Sequence, residues 1–313
     1  MGLLIHSPGP LATVQDDGRY GYMDRGFSPS GAMDKKSLAI ANILVGNAPY
    51  EAAIETTLTG LTAEFTSEAI FAITGADVLP ELNGERIAMY AAYKAKAGDT
   101  LRCGAARIGL RTYFAFAGGL DIPSVLKSKS TNLKCKLGGY QGSALKAGDE
   151  IPFLCARPVL RDMMMRGLDI ELSGFSEPIR VVMGPQNDYF TDDGIGTFLS
   201  SPYQVTMDSD RMGIKLDGPA VSSKAGVDII SDGIPLGGIQ IPSNGKPIIM
   251  MADRQTTGGY AKIATVITAD VNRVAQFRPG DRLKFTKISL KEAQDIYRYE
   301  AECLKKLEKL WKK

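Results

Sequence analysis

Pro279-Gly280-Asp281-Arg282-Leu283 reads as a tight turn that feeds a strand, because glycine and aspartate are turn residues and an apolar residue follows at once. The same pattern recurs as Ala97-Gly98-Asp99-Thr100-Leu101 and as Ala147-Gly148-Asp149-Glu150-Ile151. Gly-Asp turns are common in themselves, yet copies near 97 and 279 are also what a duplicated barrel leaves behind. Working outward, short apolar or alternating runs bounded by Gly, Pro, Asp or Asn read as strands: 70–74, 110–117, 180–183, 247–251 and 282–285. This spacing suits a barrel or a sandwich. The 34 Gly and 16 Pro point the same way, while 44% hydrophobic and 23% charged residues describe an ordinary folded chain. At 313 residues the chain exceeds the usual single core, which points to two domains, with one large domain as the alternative.

Two segments read as helices. Asp34 to Val45 carries Leu38, Ala41, Leu44 and Val45 at helical spacing and stops at Gly46-Asn47. Near the other end Ser289-Leu290-Lys291-Glu292 reads as a capping box, and Ile296, Cys303, Leu304, Leu307, Leu310 and Trp311 behind it form an apolar stripe among lysines. That stripe predicts a helix docked on its own domain or on a partner, ahead of a calmodulin-type target or a membrane-surface helix.

Composition excludes several function classes. With 37 Lys+Arg against 35 Asp+Glu the net charge is +2, so there is no electrostatic footprint for nucleic acid. One histidine, His6, is too few for Ser-His-Asp or Cys-His catalysis or an HExxH zinc site, and no metal centre is expected. The four cysteines, Cys103, Cys135, Cys155 and Cys303, lie far apart without a CxxC pair and read as reduced, in a cytoplasmic protein. The first ten residues lack the pattern of a signal peptide, and no apolar run approaches about 18 residues, so no membrane partner is expected.

Chemistry must then fall to carboxylates, Arg, Lys, amides, hydroxyls and backbone N–H groups. In Pro247-Ile248-Ile249-Met250-Met251-Ala252-Asp253-Arg254-Gln255-Thr256-Thr257-Gly258-Gly259-Tyr260 a buried-type strand runs into charged and amide side chains and then a Gly-Gly bend. Arg254 can bind an oxygen pair in a fork, the Gly258 and Gly259 N–H groups can hold an oxyanion, and Asp253 can accept a proton. An Asp253–Arg254 ion pair that merely fixes the loop is the equal alternative. In 232–242 a single uncharged polar side chain, Gln240, sits among apolar neighbours and needs partners or a ligand. In 9–34, Gln15 and Asp16 open a shaped loop, and Ser30-Gly31 reads either as an ordinary helix cap or as a pair of N–H groups presented to an anion. The expected site has Asp253 and Arg254 as catalytic groups. Gln255, Thr257, Gly258, Gly259, Gln240, Gln15, Asp16, Ser30 and Gly31 are its expected substrate contacts.

Several longer motifs occur in order: GPLATVQDDGR (9–19), SPSGAMD (28–34), ANILVGN (41–47), ITGAD (73–77), FAGGLDIP (116–123), SDRMGIKLDG (209–218), GGIQIPSNGKPIIMMADRQTTGGYAKIATVI (237–267) and AQFRPGD (275–281). Together they resemble the allophanate hydrolase subunit 2 family, which includes KipA-like proteins, the C subunit of bacterial 5-oxoprolinase and the matching half of the urea carboxylase carboxyltransferase domain. The resemblance runs to about Ser289. Lys127-Ser128-Lys129-Ser130-Thr131-Asn132 departs from the family's Gly-Ser-Arg-Ser-Thr-Asp pattern, so no role of that Arg or Asp carries over.

The resemblance implies a mainly β chain of two cyclophilin-like β-barrel units with short helices. The expected bounds are 1–178 for the first unit, with possible strand exchange, 179–288 for the second, and 289–313 for the C-terminal amphipathic helix. It also implies a KipI-like partner and, in 5-oxoprolinase, a LamB/YcsF-like one, with a small amide as substrate. Three functions follow: a subunit of an ATP-dependent 5-oxoprolinase that is inactive alone; a carboxyltransferase component using carboxybiotin on another chain; or a KipA-like regulator binding a KipI-like kinase inhibitor. No Walker A pattern occurs, so ATP is expected to bind largely elsewhere in a complex.

Overall fold

A computed structural model describes residues 1–154, 160, 166–170 and 176–312. Cys155 and most of residues 155–180 lie outside them. Backbone contacts divide the chain into two units, Met1–Tyr20 with Ser30–Leu172 and Glu302–Lys313, and Gly21–Pro29 with Ser173–Ala301. The described residues are mainly β in both.

The three Gly-Asp turns are built alike. Gly98, Gly148 and Gly280 take φ of +87°, +91° and +94°, which favours glycine at each. The aspartate that follows accepts the N–H three residues back at 2.7 Å in every case: Asp99 from Lys96, Asp149 from Lys146, Asp281 from Arg278. Each turn also exchanges a pair of backbone bonds with a neighbouring strand residue, Phe65, Ile5 and Val205 respectively. A short strand leaves each turn.

In the first unit, six antiparallel strands lie in the spatial order Glu150–Pro152, Gly2–Ser7, Thr62–Phe65, Thr100–Arg102, Glu81–Leu82, Glu85–Arg86. Five more follow the order Leu11–Gln15, Ala53–Thr57, Arg111–Phe116, Ala69–Gly75, Ala92–Ala95. Phe65, Phe71, Phe114 and Phe116, with Leu3, Ile5, Val14 and Ile54, join both sheets in one core. The strand Ala69–Gly75 is buried along its whole length because its faces serve different cores: Phe71 and Ile73 enter the one between the sheets, while Ile70 and Ala72 enter another with Leu38, Ala41 and Leu44. Those three leucine and alanine side chains come from helix α1, Lys35–Leu44.

The second unit curls one eight-stranded sheet upon itself. Its order is Arg282–Leu283, Tyr203–Val205, Gly213–Asp217, Ile248–Met250, Gly238–Gln240, Lys262–Val266, Ile179–Met183, Phe285–Lys287. The first and last strands are separated in the chain by Lys284 alone, so the two edges meet across one residue and the sheet is a nearly closed barrel. Phe198 of helix α2, Asp192–Ser200, stacks on Phe285 at 4.5 Å, and Thr191 caps that helix through Gly194 N–H. Helix α3, Thr268–Val274, follows the strand Lys262–Val266. A two-stranded ribbon, Asp228–Gly233 with Thr257–Tyr260, completes the unit.

Helix α4, Leu290–Lys312, starts at the capping box: Ser289 Oγ accepts from Glu292 N–H at 3.2 Å, and Glu292 Oε2 accepts from Ser289 N–H at 2.8 Å. Leu304, Leu307 and Trp311 of its C-terminal part pack on the core beside α1. The expected stripe is narrower than its sequence pattern, since Cys303 and Leu310 are exposed: each precedes a half-buried position by one residue and is rotated about 100° from it. Among the described residues no helix is long and apolar enough to cross a membrane.

Candidate functional site

The loop after the strand Ile248–Met250 holds both residues expected to act on substrate, and each has a partner close by. Asp253 accepts from Arg211 Nε at 2.9 Å and from Arg211 Nη2 at 3.3 Å, and its own N–H reaches the Arg211 carbonyl. The ion pair of this loop is therefore Arg211–Asp253, not Asp253–Arg254. Arg254, 6% exposed, donates from Nε to Ile234 O at 2.9 Å and from Nη1 to Met251 O at 3.3 Å. Gln255 is exposed. Thr257, Gly258 and Gly259 form a strand rather than the expected bend, paired with Asp228–Gly233. Gly258 allows a close approach: a Cβ there would fall 2.7 Å from Ile234 Cδ1 and 2.8 Å from Gln240 Nε2 and would push the ends of both side chains aside.

Gln240 leads to a residue that sequence reasoning missed. In the ladder between Gly238–Gln240 and Lys262–Val266, Ile239 pairs with Ala264 but Gln240 pairs with Lys262, so Ile263 is an extra, bulged residue. Without that bulge Gln240 would oppose Ile263. With it, an amide and an ammonium stand side by side on one face. The Lys262 side chain is only 3% exposed, and it donates to Asp232 Oδ2 on the ribbon, 3.3 Å away. Asp232 itself is 58% exposed; its other oxygen takes Gly233 N–H at 2.6 Å. That N–H first, and Lys262 second, hold the Asp232 carboxyl below the usual carboxylate range. Gln186 closes the group, with Oε1 accepting from Lys262 N–H at 3.2 Å and Nε2 3.5 Å from Asp232 Oδ2. Gln240 Nε2 reaches Tyr260 O at 3.4 Å. A lysine inside the apolar run Tyr260-Ala261-Lys262-Ile263-Ala264 is the sequence signal that could have found it.

The remaining expected contacts lie in the first unit. Asp16 takes four donors: Gly18 N–H at 2.8 Å, Ser128 Oγ at 2.7 Å, Lys129 N–H at 2.6 Å and Ser130 Oγ at 2.5 Å. This pins the Lys127–Asn132 segment, and Lys129 Nζ adds an ion pair with Glu51 at 2.7 Å. Gln15 is fully buried and donates to Thr13 Oγ1 and Thr131 O. Ser30 is not the helix cap: Asp34 is, accepting from Ser37 N–H at 3.0 Å, while Ser30 Oγ accepts from Asn132 Nδ2. The N-terminus of α1 thus already carries a carboxylate, which opposes a second anion there. Gly31, φ +89°, lies against the Asp17 carbonyl, where a Cβ would fall 2.7 Å away. A cavity of about 670 Å³ elsewhere in this unit, walled by Asp77, Met89, Arg107 and Leu168, contains none of the expected site residues.

Residues 25–287 match the family described as carboxyltransferase domain, subdomain A and B. The chain belongs to that family. It is 39% identical to the C subunit of 5-oxoprolinase from Escherichia coli, over 95% of this chain and 96% of that protein, and 37% identical to the C subunit of 5-oxoprolinase from Haemophilus influenzae, over 92% and 91%. The crystal structure of the Kluyveromyces lactis urea carboxylase superposes with a TM-score of 0.90 at 28% identity, over 98% of this chain and 29% of that one.

For a carboxyltransferase-domain chain, the second-unit group offers complementary parts: a buried ammonium, a carboxylate touching it, and a carboxamide on the residue opposite the lysine in the ladder. The ammonium can polarise a carbonyl oxygen, the carboxylate can accept an N–H, and the amide can do either. Among the described residues no three His, Cys, Asp or Glu side chains gather as a metal site.

Proposed function

We propose that the chain is the C-type subunit of an ATP-dependent 5-oxoprolinase, which opens the lactam of 5-oxoproline to L-glutamate together with a KipI-like and a LamB/YcsF-like subunit. The observation that carries this reading is the 39% identity to a 5-oxoprolinase C subunit along almost the full length of both chains. The complex supplies ATP binding, and the chain alone is inactive. Within it, the second unit handles the amide and the Asp253–Arg254 loop holds its framework. Arg254 as a direct substrate contact is the variant of this reading that Arg254→Lys tests.

Co-expression with the neighbouring subunits, followed by assay of glutamate release from 5-oxoproline, tests the proposal. Release that requires both ATP and the assembled subunits is expected. An assembled complex that consumes no 5-oxoproline overturns it. The likeness to the urea carboxylase favours one second reading, carboxyl transfer from a biotin carrier to urea or another amide; biotin-dependent consumption of urea by the same preparation would replace the first.

A further inference from the structure

In the second-unit cluster the backbone donors are well held, at 2.6 and 3.2 Å, and the side-chain donors are held loosely. An ammonium removed from water is costly unless its donors are used, and Lys262 has one side-chain acceptor among the described residues, at 3.3 Å. Gln186 and Gln240 reach their own acceptors at 3.5 and 3.4 Å, beyond the usual range for N–H···O bonds. Two of these contacts meet at Asp232 Oδ2, and the third lies next to them: Gln240 opposes Lys262 in the ladder, and its amide nitrogen lies against Gly258, the residue paired with Asp232. A polar group aimed there would shorten several bonds at once.

We infer that this cluster is a binding site for an amide whose N–H and C=O lie on the same edge, as in a lactam or a urea. Lys262 donates to the carbonyl oxygen, Asp232 Oδ2 accepts the adjacent N–H, and Gln240 completes the edge. A donor and an acceptor 3.3 Å apart match such an edge. An open-chain trans amide turns its N–H and C=O to opposite sides and meets only one of them. A simple anion is a poorer match, because Lys262 is already partnered by a carboxylate. The inference rests on the amide-substrate reading above and names the residues that would read the amide.

The test is calorimetric titration of the full chain in its co-purified complex with 5-oxoproline, 2-pyrrolidinone, urea and N-methyl-2-pyrrolidinone, the last lacking the N–H. Wild type is expected to bind 2-pyrrolidinone about 10-fold more tightly than its N-methyl analogue, the worth of one charge-assisted bond. Lys262→Met should weaken 5-oxoproline and 2-pyrrolidinone alike by about 10- to 100-fold, and Lys262→Arg by less. Asp232→Ala should abolish the preference for N–H over N-methyl. Equal binding by a folded Lys262→Met complex, equal binding of the two pyrrolidinones by wild type, or binding of none of the four compounds overturns the inference. If Lys262→Met does not fold, the wild-type and Asp232→Ala comparison decides. Binding with this pattern but without glutamate release removes the 5-oxoprolinase reading and leaves the site. Glutamate release unchanged by Lys262→Met does the reverse.

Discussion

Two polar clusters in this chain use similar groups and end in opposite states. Around Asp16, one carboxylate collects four donors between 2.5 and 2.8 Å, and a neighbouring lysine, Lys129, is bound to Glu51 and to the Leu120 carbonyl. Around Lys262, Asp232 Oδ1 takes Gly233 N–H at 2.6 Å and Gln186 Oε1 takes Lys262 N–H at 3.2 Å, but the contacts made by the Lys262 ammonium and by the Gln186 and Gln240 amide nitrogens run from 3.3 to 3.5 Å. Saturation makes the first a clamp on the Lys127–Asn132 segment. Incomplete saturation makes the second a place where a ligand gains more than water does. Residue type alone does not separate them, because Asp, Lys, Gln and Ser occur in both or beside both.

The largest expected effect breaks the clamp. Asp16→Ala leaves two hydroxyls and two N–H groups without their acceptor and should cost about 3 kcal/mol, read as a lower urea midpoint at constant slope. An unchanged midpoint would mean that the saturated cluster holds nothing.

A smaller effect concerns the buried phenol of Tyr90 in the first unit, which burial, and then the Asp34 charge, push up to about 12. The folded chain keeps this proton more tightly than the unfolded one does. Its contribution is therefore whole below pH 10 and is lost as pH rises towards 12, by about 2.7 kcal/mol in all. Tyr90→Phe should flatten that part of the stability profile. A slope between pH 10 and 12 identical to wild type would contradict the assignment.

Gly258→Ala sharpens the comparison from the other cluster. The added methyl collides with the Gln240 amide and should weaken lactam binding by about 10-fold, about 1.4 kcal/mol. The melting temperature should move less than for Asp16→Ala. Arg254→Lys is expected to be smallest. A point ammonium cannot serve both the Ile234 and Met251 carbonyls, at a cost of about 1 kcal/mol in stability with assembled turnover kept within a few fold. A loss of turnover above about 30-fold in a stable complex would instead make Arg254 a substrate contact.

How much of the molecule is legible in its sequence depends on how local each feature is. The Gly-Asp turns are readable because a left-handed glycine and an aspartate closing back three residues need nothing from the rest of the fold. The ends of α1 are readable for the same reason, although its cap is Asp34 and not Ser30, because the helix starts at Lys35, five residues beyond Ser30. Gly258-Gly259 has the pattern of a bend and forms a strand, because glycine also marks close approach, and here the neighbour is a side chain 18 residues away. Gln240 stands out as a polar residue in an apolar strand. Lys262 stands out in the same way, but its pairing with Gln240 does not, since only the bulge at Ile263, a property of strand pairing, sets the two opposite each other. Family likeness places the chain among carboxyltransferase domains without showing which polar group is left unsaturated.

Whether the amide goes to the unsaturated cluster and not to the saturated one is decided most directly by two lysines. With lysine Cε labelled in the assembled complex, titration with 5-oxoproline should shift the Lys262 resonance, assigned by its absence in Lys262→Met, and leave Lys129 where it is. A Lys129 shift with Lys262 unmoved would contradict it.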